Sequence, residues 1–145
     1  MNFTSNIQIF ADAATTSSAA LIKAYCGLVA IELVLKHEVN LRSHNIPQAL
    51  ATFKNMKAVG RKSIHVATLN SLRQRLVNDL TAISTQNRDG APCAAPSNCY
   101  PYIRYTRFTL DGWGIPDTPN ASLATLAATV DHARYILKTK FGLPL

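Results

Sequence analysis

Three of the four histidines, His44, His65 and His132, lie near basic residues in the sequence. His65 follows Arg61 with three residues between them, and His44 lies in a polar stretch between two apolar ones. An imidazole can exchange a proton near neutral pH, and a nearby cation can stabilise charge that develops on a phosphate group. His44, Arg61 and His65 are therefore candidate catalytic residues. The structural alternatives are a helix-junction cap for His44 and a basic, solvated helix start for Arg61 and His65.

A run of basic residues surrounds this candidate pair. No acidic residue interrupts the segment, whose cations are Lys54, Lys57, Arg61, Lys62, Arg73 and Arg75. The formal net charge of the chain is +7, so this segment carries much of the excess. Concentrated positive charge attracts phosphate backbones or acidic partners, whereas the alternative is a solvated face that maintains solubility.

The segment Asn87 to Pro119 holds a second group of candidate binding residues. It contains most of the prolines, and its aromatic residues alternate with Arg104 and Arg107. Aromatic rings can stack on unpaired bases while arginines contact phosphates, as in proteins that bind single strands. The alternative is that these rings cover an open side of the core, and in either case we expect an ordered loop. The aromatic residues are Tyr100, Tyr102, Tyr105, Phe108 and Trp113.

The sequence offers little support for metal or cofactor chemistry. Its three cysteines form no CxxC pair, so we expect Cys26 to be a small buried apolar residue and Cys93 and Cys99 to be free thiols. Cys93 and Cys99 could pair in an oxidising compartment. No phosphate-binding glycine loop, dinucleotide fingerprint or catalytic triad is present. We expect neither a metal nor a cofactor.

Length and composition predict one globular domain that covers residues 1–145. Apolar residues make up 48% of the chain and charged residues 16%, which is typical of a folded protein with its own core. Lys23 and Glu32 interrupt the longest apolar stretch, so we do not expect it to span a membrane. The first twenty residues contain no Lys or Arg, which argues against a secretory signal and favours the cytoplasm.

Apolar periodicity predicts four helices and an all-α fold. The first should run from Asp12 to Val39 and end at Asn40, and the second should run from Ile46 to Gly60 with Pro47 in its first turn. The third is expected from Ser63 to Gln86. The fourth should cover Asn120–Phe141. Four helices and one inserted loop indicate an up-and-down bundle in which the loop precedes the last helix.

Glu32 is the most informative single residue of the first predicted helix. A carboxylate in so apolar a helix needs a partner, because burial of an unpaired charge is costly. We expect Arg104 or Arg107 to supply it and to fix the loop to the helix. The role of Glu32 and Arg104 would then be structural first.

Two short stretches give this arrangement a resemblance to a known family. The pattern A-x-E-L-x-L-K, formed by residues 30–36, leads into His44, Asn45 and Ile46, and Ile103, Arg104 and Tyr105 precede the last helix. In these features the chain resembles the HEPN domain family. That resemblance implies an up-and-down helical bundle that usually dimerises. Many members are metal-independent ribonucleases of toxin–antitoxin and antiphage systems, and others are non-catalytic modules.

The nuclease members carry an Arg followed after four to six residues by a His near the start of the last helix. Here the nearest pair, Arg61 and His65, is closer together and precedes the third predicted helix. The resemblance therefore implies an RNA-directed module of a bacterial defence or toxin–antitoxin system and leaves ribonuclease activity open. The expected partners are a second copy of the chain and RNA. The alternative is a non-catalytic dimerisation or protein-interaction domain that docks through the aromatic loop. The expected RNA-contacting residues are Lys54, Lys57, Arg61, Lys62, Arg73, Tyr102, Arg104, Tyr105 and Arg107.

Overall fold

Within residues 3–40, 45–58, 65–82 and 120–145, which the computed structural model describes, the chain is all-helical. Contacts link the second helix to the third, the third to the fourth, the fourth to the fifth and the fifth back to the second, so these four form a closed bundle. The first helix packs against the second. The all-α prediction is confirmed. The helices are α1 (Phe3–Thr16), α2 (Ala20–Val39), α3 (Ile46–Lys57), α4 (Val66–Ala82) and α5 (Asn120–Phe141).

The prediction of a single first helix from Asp12 to Val39 is wrong, because residues 17–19 separate α1 from α2. Ser17 accepts a hydrogen bond from the Ala19 backbone N–H (3.1 Å), and Ala19 is extended. A serine side chain that bonds the local backbone competes with helical hydrogen bonding. The chain can then turn so that α1 lies beside α2 instead of continuing it.

The buried residues of α1 explain why the sequence did not reveal this helix. Ile7, Ala11 and Ala14 are buried and recur at helical spacing, yet two of the three are alanines. Alanine carries so little apolar surface that it gives a weak periodic signal. Its small size instead lets α1 approach α2 closely, where Ala24 is fully buried.

α2 lies at the centre of the described helices, since it contacts α1, α3 and α5. Leu28, Ile31 and Leu35 are fully buried. The helix ends at Asn40, which adopts a left-handed conformation (φ 53°) and donates its N–H to the Lys36 carbonyl (2.9 Å). In the described part of the chain, no helix combines the length and apolar character that a membrane crossing requires.

The described starts of α3 and α5 agree with the prediction, but α3 ends at Lys57, before the predicted Gly60, and α4 begins at Val66, after the predicted Ser63. The side chain of Asn45 accepts a hydrogen bond from Gln48 N–H (3.0 Å) at the start of α3, where Pro47 occupies the first turn. The predicted span Asn120–Phe141 of the last helix is confirmed, and Gly142 (φ 70°) ends it. Residues 59–64 and 83–119, including the ends of two predicted helices and the aromatic loop, lie outside the described residues.

Thr129 joins α4 to α5 through a buried polar contact. Its hydroxyl donates to the Asp79 carboxylate and accepts from the Arg75 guanidinium (3.4 Å). Arg75 and Asp79 lie one turn apart on α4, and both side chains reach the same threonine on the next helix. Thr129 is 1% exposed, so these bonds satisfy a hydroxyl that is shielded from water.

Gly27 sets the distance between α2 and α5. A Cβ atom at this position would overlap the Cγ1 methyl of Val130 and would touch the Arg134 side chain. Two helices can come this close only where one presents a hydrogen instead of a side chain. The requirement at Gly27 is therefore for space, since its backbone is helical.

We predict that Gly27→Ala lowers the free energy of unfolding by about 1–3 kcal/mol, because overpacking a close helix contact forces side chains or backbone to shift. Helix propensity alone would give the opposite sign, a stabilisation of about 1 kcal/mol. Urea denaturation followed by circular dichroism measures the difference. The matched variant Gly27→Ala/Val130→Ala should lose less stability than the two single changes added together. A stabilised Gly27→Ala protein would contradict the close approach.

Glu32 is buried, as predicted, at 6% exposure. Its Oε1 lies 2.6 Å from Lys36 Nζ, one turn later on the same helix, and the Lys36 side chain is 28% exposed. The lysine thus reaches solvent while it neutralises a carboxylate inside the bundle. Arg104 and Arg107, the predicted partners, lie outside the described residues.

We predict that Glu32→Ala destabilises the chain by about 1–3 kcal/mol, since it removes a charge-assisted hydrogen bond and leaves a gap in the core. Glu38→Ala, on the same helix but 30% exposed, serves as the control and should change stability by less than about 0.5 kcal/mol. Urea denaturation of both variants gives the comparison. Equal effects would mean that the Glu32 ion pair does not stabilise the fold.

Candidate functional site

Phe141, the last residue of α5, brings three helix ends together. Its ring meets the Phe53 ring edge to face (centroids 5.3 Å apart) and the His65 imidazole at 5.7 Å in a similar geometry. Phe53 lies near the end of α3, and His65 directly precedes α4. The end of α3, the start of α4 and the end of α5 therefore meet at one end of the bundle.

One cation of α3 contacts this aromatic cluster. The Lys57 ammonium lies 5.2 Å from the centroid of the Phe53 ring, a distance that suits a cation–π interaction. Lys54, one turn earlier on α3, is half-buried like Lys57. We call Lys54, Lys57, His65 and Phe141 the basic end. Lys54, Lys57 and His65 lie within the basic run, and Phe141 comes from near the last residue of the sequence.

His65 is the one predicted catalytic residue within the described part of the chain. It is half-buried, and its ring contacts the ring of Phe141. The contact with Phe141 restricts the orientation of the imidazole ring. The basic end thus combines this imidazole with lysines of α3 at the same end of the bundle.

Most other predicted site residues lie outside the described residues, so their positions relative to His65 stay predictions. They are His44, Arg61, Lys62, Tyr102, Arg104, Tyr105 and Arg107. Arg73 is described and half-buried, and its Nε is shielded from solvent with no hydrogen-bond partner among the described residues. Arg75 is more exposed and contacts Thr129. Of these two arginines, Arg75 therefore contributes to the contact between α4 and α5.

A recess that the sequence did not predict lies where α1, α2 and α5 meet. Its volume is about 290 Å³, near the lower limit for small-molecule pockets. Three cationic side chains, Lys23, Arg134 and Lys138, and one carboxylate, Asp131, line it. We call this recess the cationic pocket. Thr15, Tyr135 and Leu145 complete its lining.

The sequence contains one signal for this pocket. The apolar positions of the last helix, Leu126, Val130 and Leu137, predict a buried stripe, and Arg134 lies on that stripe, four residues after Val130 and three before Leu137. An arginine at a buried position needs acceptors from another element. The sequence alone did not identify them, because two of the acceptors belong to α1.

The described residues hold no group of three or more His, Cys, Asp or Glu side chains that could bind a metal ion. Cys26 is half-buried, less enclosed than predicted, and burial raises the pKa of its thiol. A raised pKa keeps the thiol protonated near neutral pH and makes Cys26 a poor nucleophile. Cys93 and Cys99 lie outside the described residues.

Two arrangements can therefore bind or act on anions: the basic end, with an imidazole, and the cationic pocket, with a buried guanidinium. Both depend on the C-terminal half of α5, which supplies Phe141 to the first and Arg134 to the second. Comparisons with known protein families, with curated proteins and with solved structures find no match for this chain.

Proposed function

We propose that the chain is an RNA-directed module of a bacterial defence or toxin–antitoxin system that contacts RNA through its basic end. The observation that carries this proposal is the junction at Phe141, which gathers His65 and the Lys57–Phe53 pair at one end of the bundle. Ammonium groups attract the phosphate backbone, and a partly exposed imidazole can stack on an unpaired base. The uncompensated positive run from Lys54 to Arg75 extends the same attraction.

The contacts between helices support the HEPN-like arrangement within this proposal. α4 and α5 run antiparallel, since His65 meets Phe141 at one end while Asp79 meets Thr129 farther along. The closed ring of α2, α3, α4 and α5 is what a four-helix bundle with up-and-down connections produces. α1 is an addition beside α2. Homodimerisation belongs to the proposal as an expectation of the resemblance.

If the module cleaves RNA, His65 is the described residue best placed to do so. Its imidazole would exchange a proton with the 2′-hydroxyl or the leaving oxygen, and Lys57 would stabilise charge on the phosphate. Arg61, which precedes His65 with three residues between them, and His44 are the further candidates. No metal takes part in this scheme, because the imidazole and the cations supply the acid, the base and the charge.

We predict that Lys54→Gln/Lys57→Gln weakens binding to single-stranded RNA and reduces its salt dependence. For every phosphate group that the variant no longer neutralises, the slope of log affinity against log salt should fall by about 0.7 for a single strand. Fluorescence anisotropy with a labelled oligonucleotide over a range of salt concentrations measures both effects.

The matched control for that experiment is Ala124→Glu/Ala128→Glu, which changes net charge equally at exposed positions on the opposite part of α5. If RNA binds at the basic end, this control should change RNA affinity only slightly. If RNA is attracted by net charge alone, the two double variants should lose equal affinity. Binding that is insensitive to salt in all three proteins would exclude the RNA proposal and favour the protein-interaction alternative.

We further predict that any cleavage of RNA by the purified chain falls about 10²–10⁴-fold in His65→Gln, because the side chain that transfers the proton is absent. Gel analysis of a labelled RNA in the presence of a chelator gives the rate. His132 is an exposed histidine in the middle of α5. The matched control is therefore His132→Gln, which should cleave RNA like the wild type. Equal loss in both variants would exclude His65 as the catalytic group.

A further inference from the structure

The cationic pocket contains a nearly buried arginine, and one of its donors has no partner among the described residues. Arg134 is 9% exposed. Its Nη2 donates to the Ala11 carbonyl and to Thr15 Oγ1, both at 2.9 Å. Its Nε is shielded from solvent and has no hydrogen-bond partner among the described residues. Because burial removes much of the guanidinium from water, its positive charge favours an anion in the adjoining recess.

The carboxylate in the pocket offsets only part of this positive charge. Asp131 Oδ1 lies 3.7 Å from Arg134 Nη1, and Asp131 Oδ2 lies 3.7 Å from Lys23 Nζ. Both separations are longer than a hydrogen bond, and one carboxylate is shared between two cations. The Asp131 side chain is also 43% exposed, so water weakens its attraction for both.

Further polar groups converge on the pocket. The Lys23 side chain is 27% exposed, and its ammonium donates to the Ala14 carbonyl (3.3 Å), which leaves it other donors. Lys138 and Tyr135 are exposed residues of α5 that line the same recess. Among the side chains that line the recess, three are cations and one is a carboxylate, which gives an excess of positive side-chain charge around a volume of about 290 Å³.

We propose that the cationic pocket binds a phosphate dianion, either as inorganic phosphate or as the phosphate group of a small phosphomonoester. A phosphate dianion offsets this positive excess more fully than a singly charged carboxylate would. Tetrahedral oxygens accept hydrogen bonds from several directions, which suits donors that come from α2 and α5. The small volume admits a phosphate with a compact substituent.

The site is separate from the basic end and does not rest on the RNA proposal. Lys23 and Arg134 also hold α1 through its carbonyl groups, so changes at either residue could disturb folding. Lys138 has no such role, because it is exposed and lies at the rim. Lys138→Gln therefore tests binding with the fold intact.

Isothermal titration of the full chain with inorganic phosphate, at constant ionic strength maintained with chloride, tests the proposal. We expect saturable binding to one site that Lys138→Gln weakens about tenfold, the loss typical of one charge-assisted hydrogen bond. Lys140→Gln, two residues away and outside the pocket, makes the same charge change and should bind like the wild type. No saturable binding, or equal weakening in both variants, would overturn the proposal.

A second titration with glycerol phosphate identifies the source of the phosphate. Binding equal to or tighter than that of inorganic phosphate supports a phosphomonoester, and binding of inorganic phosphate alone supports the free ion. Lys54→Gln/Lys57→Gln should retain phosphate binding in either case. Loss of phosphate binding in that variant would show that the anion sits at the basic end and would overturn the assignment to the pocket.

Discussion

The close approach of α2 and α5 at Gly27 is the constraint on which the rest of the bundle depends. Because Gly27 presents no side chain, Val130 and Arg134 of α5 lie directly against α2. That contact places Lys23, one turn before Gly27, beside Asp131. It also fixes the position of α5 along its axis, and so determines where its final residue, Phe141, meets α3 and α4.

The helices that the sequence predicted well are those with strong local signals. Asn40 and Gly142 take left-handed conformations, and Asn45 and Pro47 start α3, so these boundaries follow from the chemistry of single residues. α1 lacked such signals. The break between α1 and α2 depends on Ser17, whose side chain accepts a hydrogen bond from the Ala19 N–H. The buried face of α1 consists largely of alanine.

The candidate sites were less predictable because they are assembled from distant parts of the chain. The basic run was visible as a row of charges, yet nothing in it indicated that Phe141 would pack against His65. Lys36, one helical turn after Glu32, is a partner that was not predicted from the sequence, and the predicted contact with Arg104 or Arg107 stays a prediction. The cationic pocket could not be predicted without α1, because the acceptors of Arg134 are on this helix, whose start was not predicted.

The way in which α2 and α5 hold α1 has a consequence for how that helix tolerates change. Lys23 and Arg134 bind the carbonyl oxygens of Ala14 and Ala11, which every residue type possesses. Apart from the hydrogen bond from Arg134 to Thr15 Oγ1, the attachment therefore depends on the position of the main chain of α1 and not on the identity of its side chains. Solvent-facing positions of α1 are free to vary in identity, but inserting or deleting one residue before Thr15 would rotate its buried stripe by about 100° away from α2. The length of α1 is under tighter constraint than its composition.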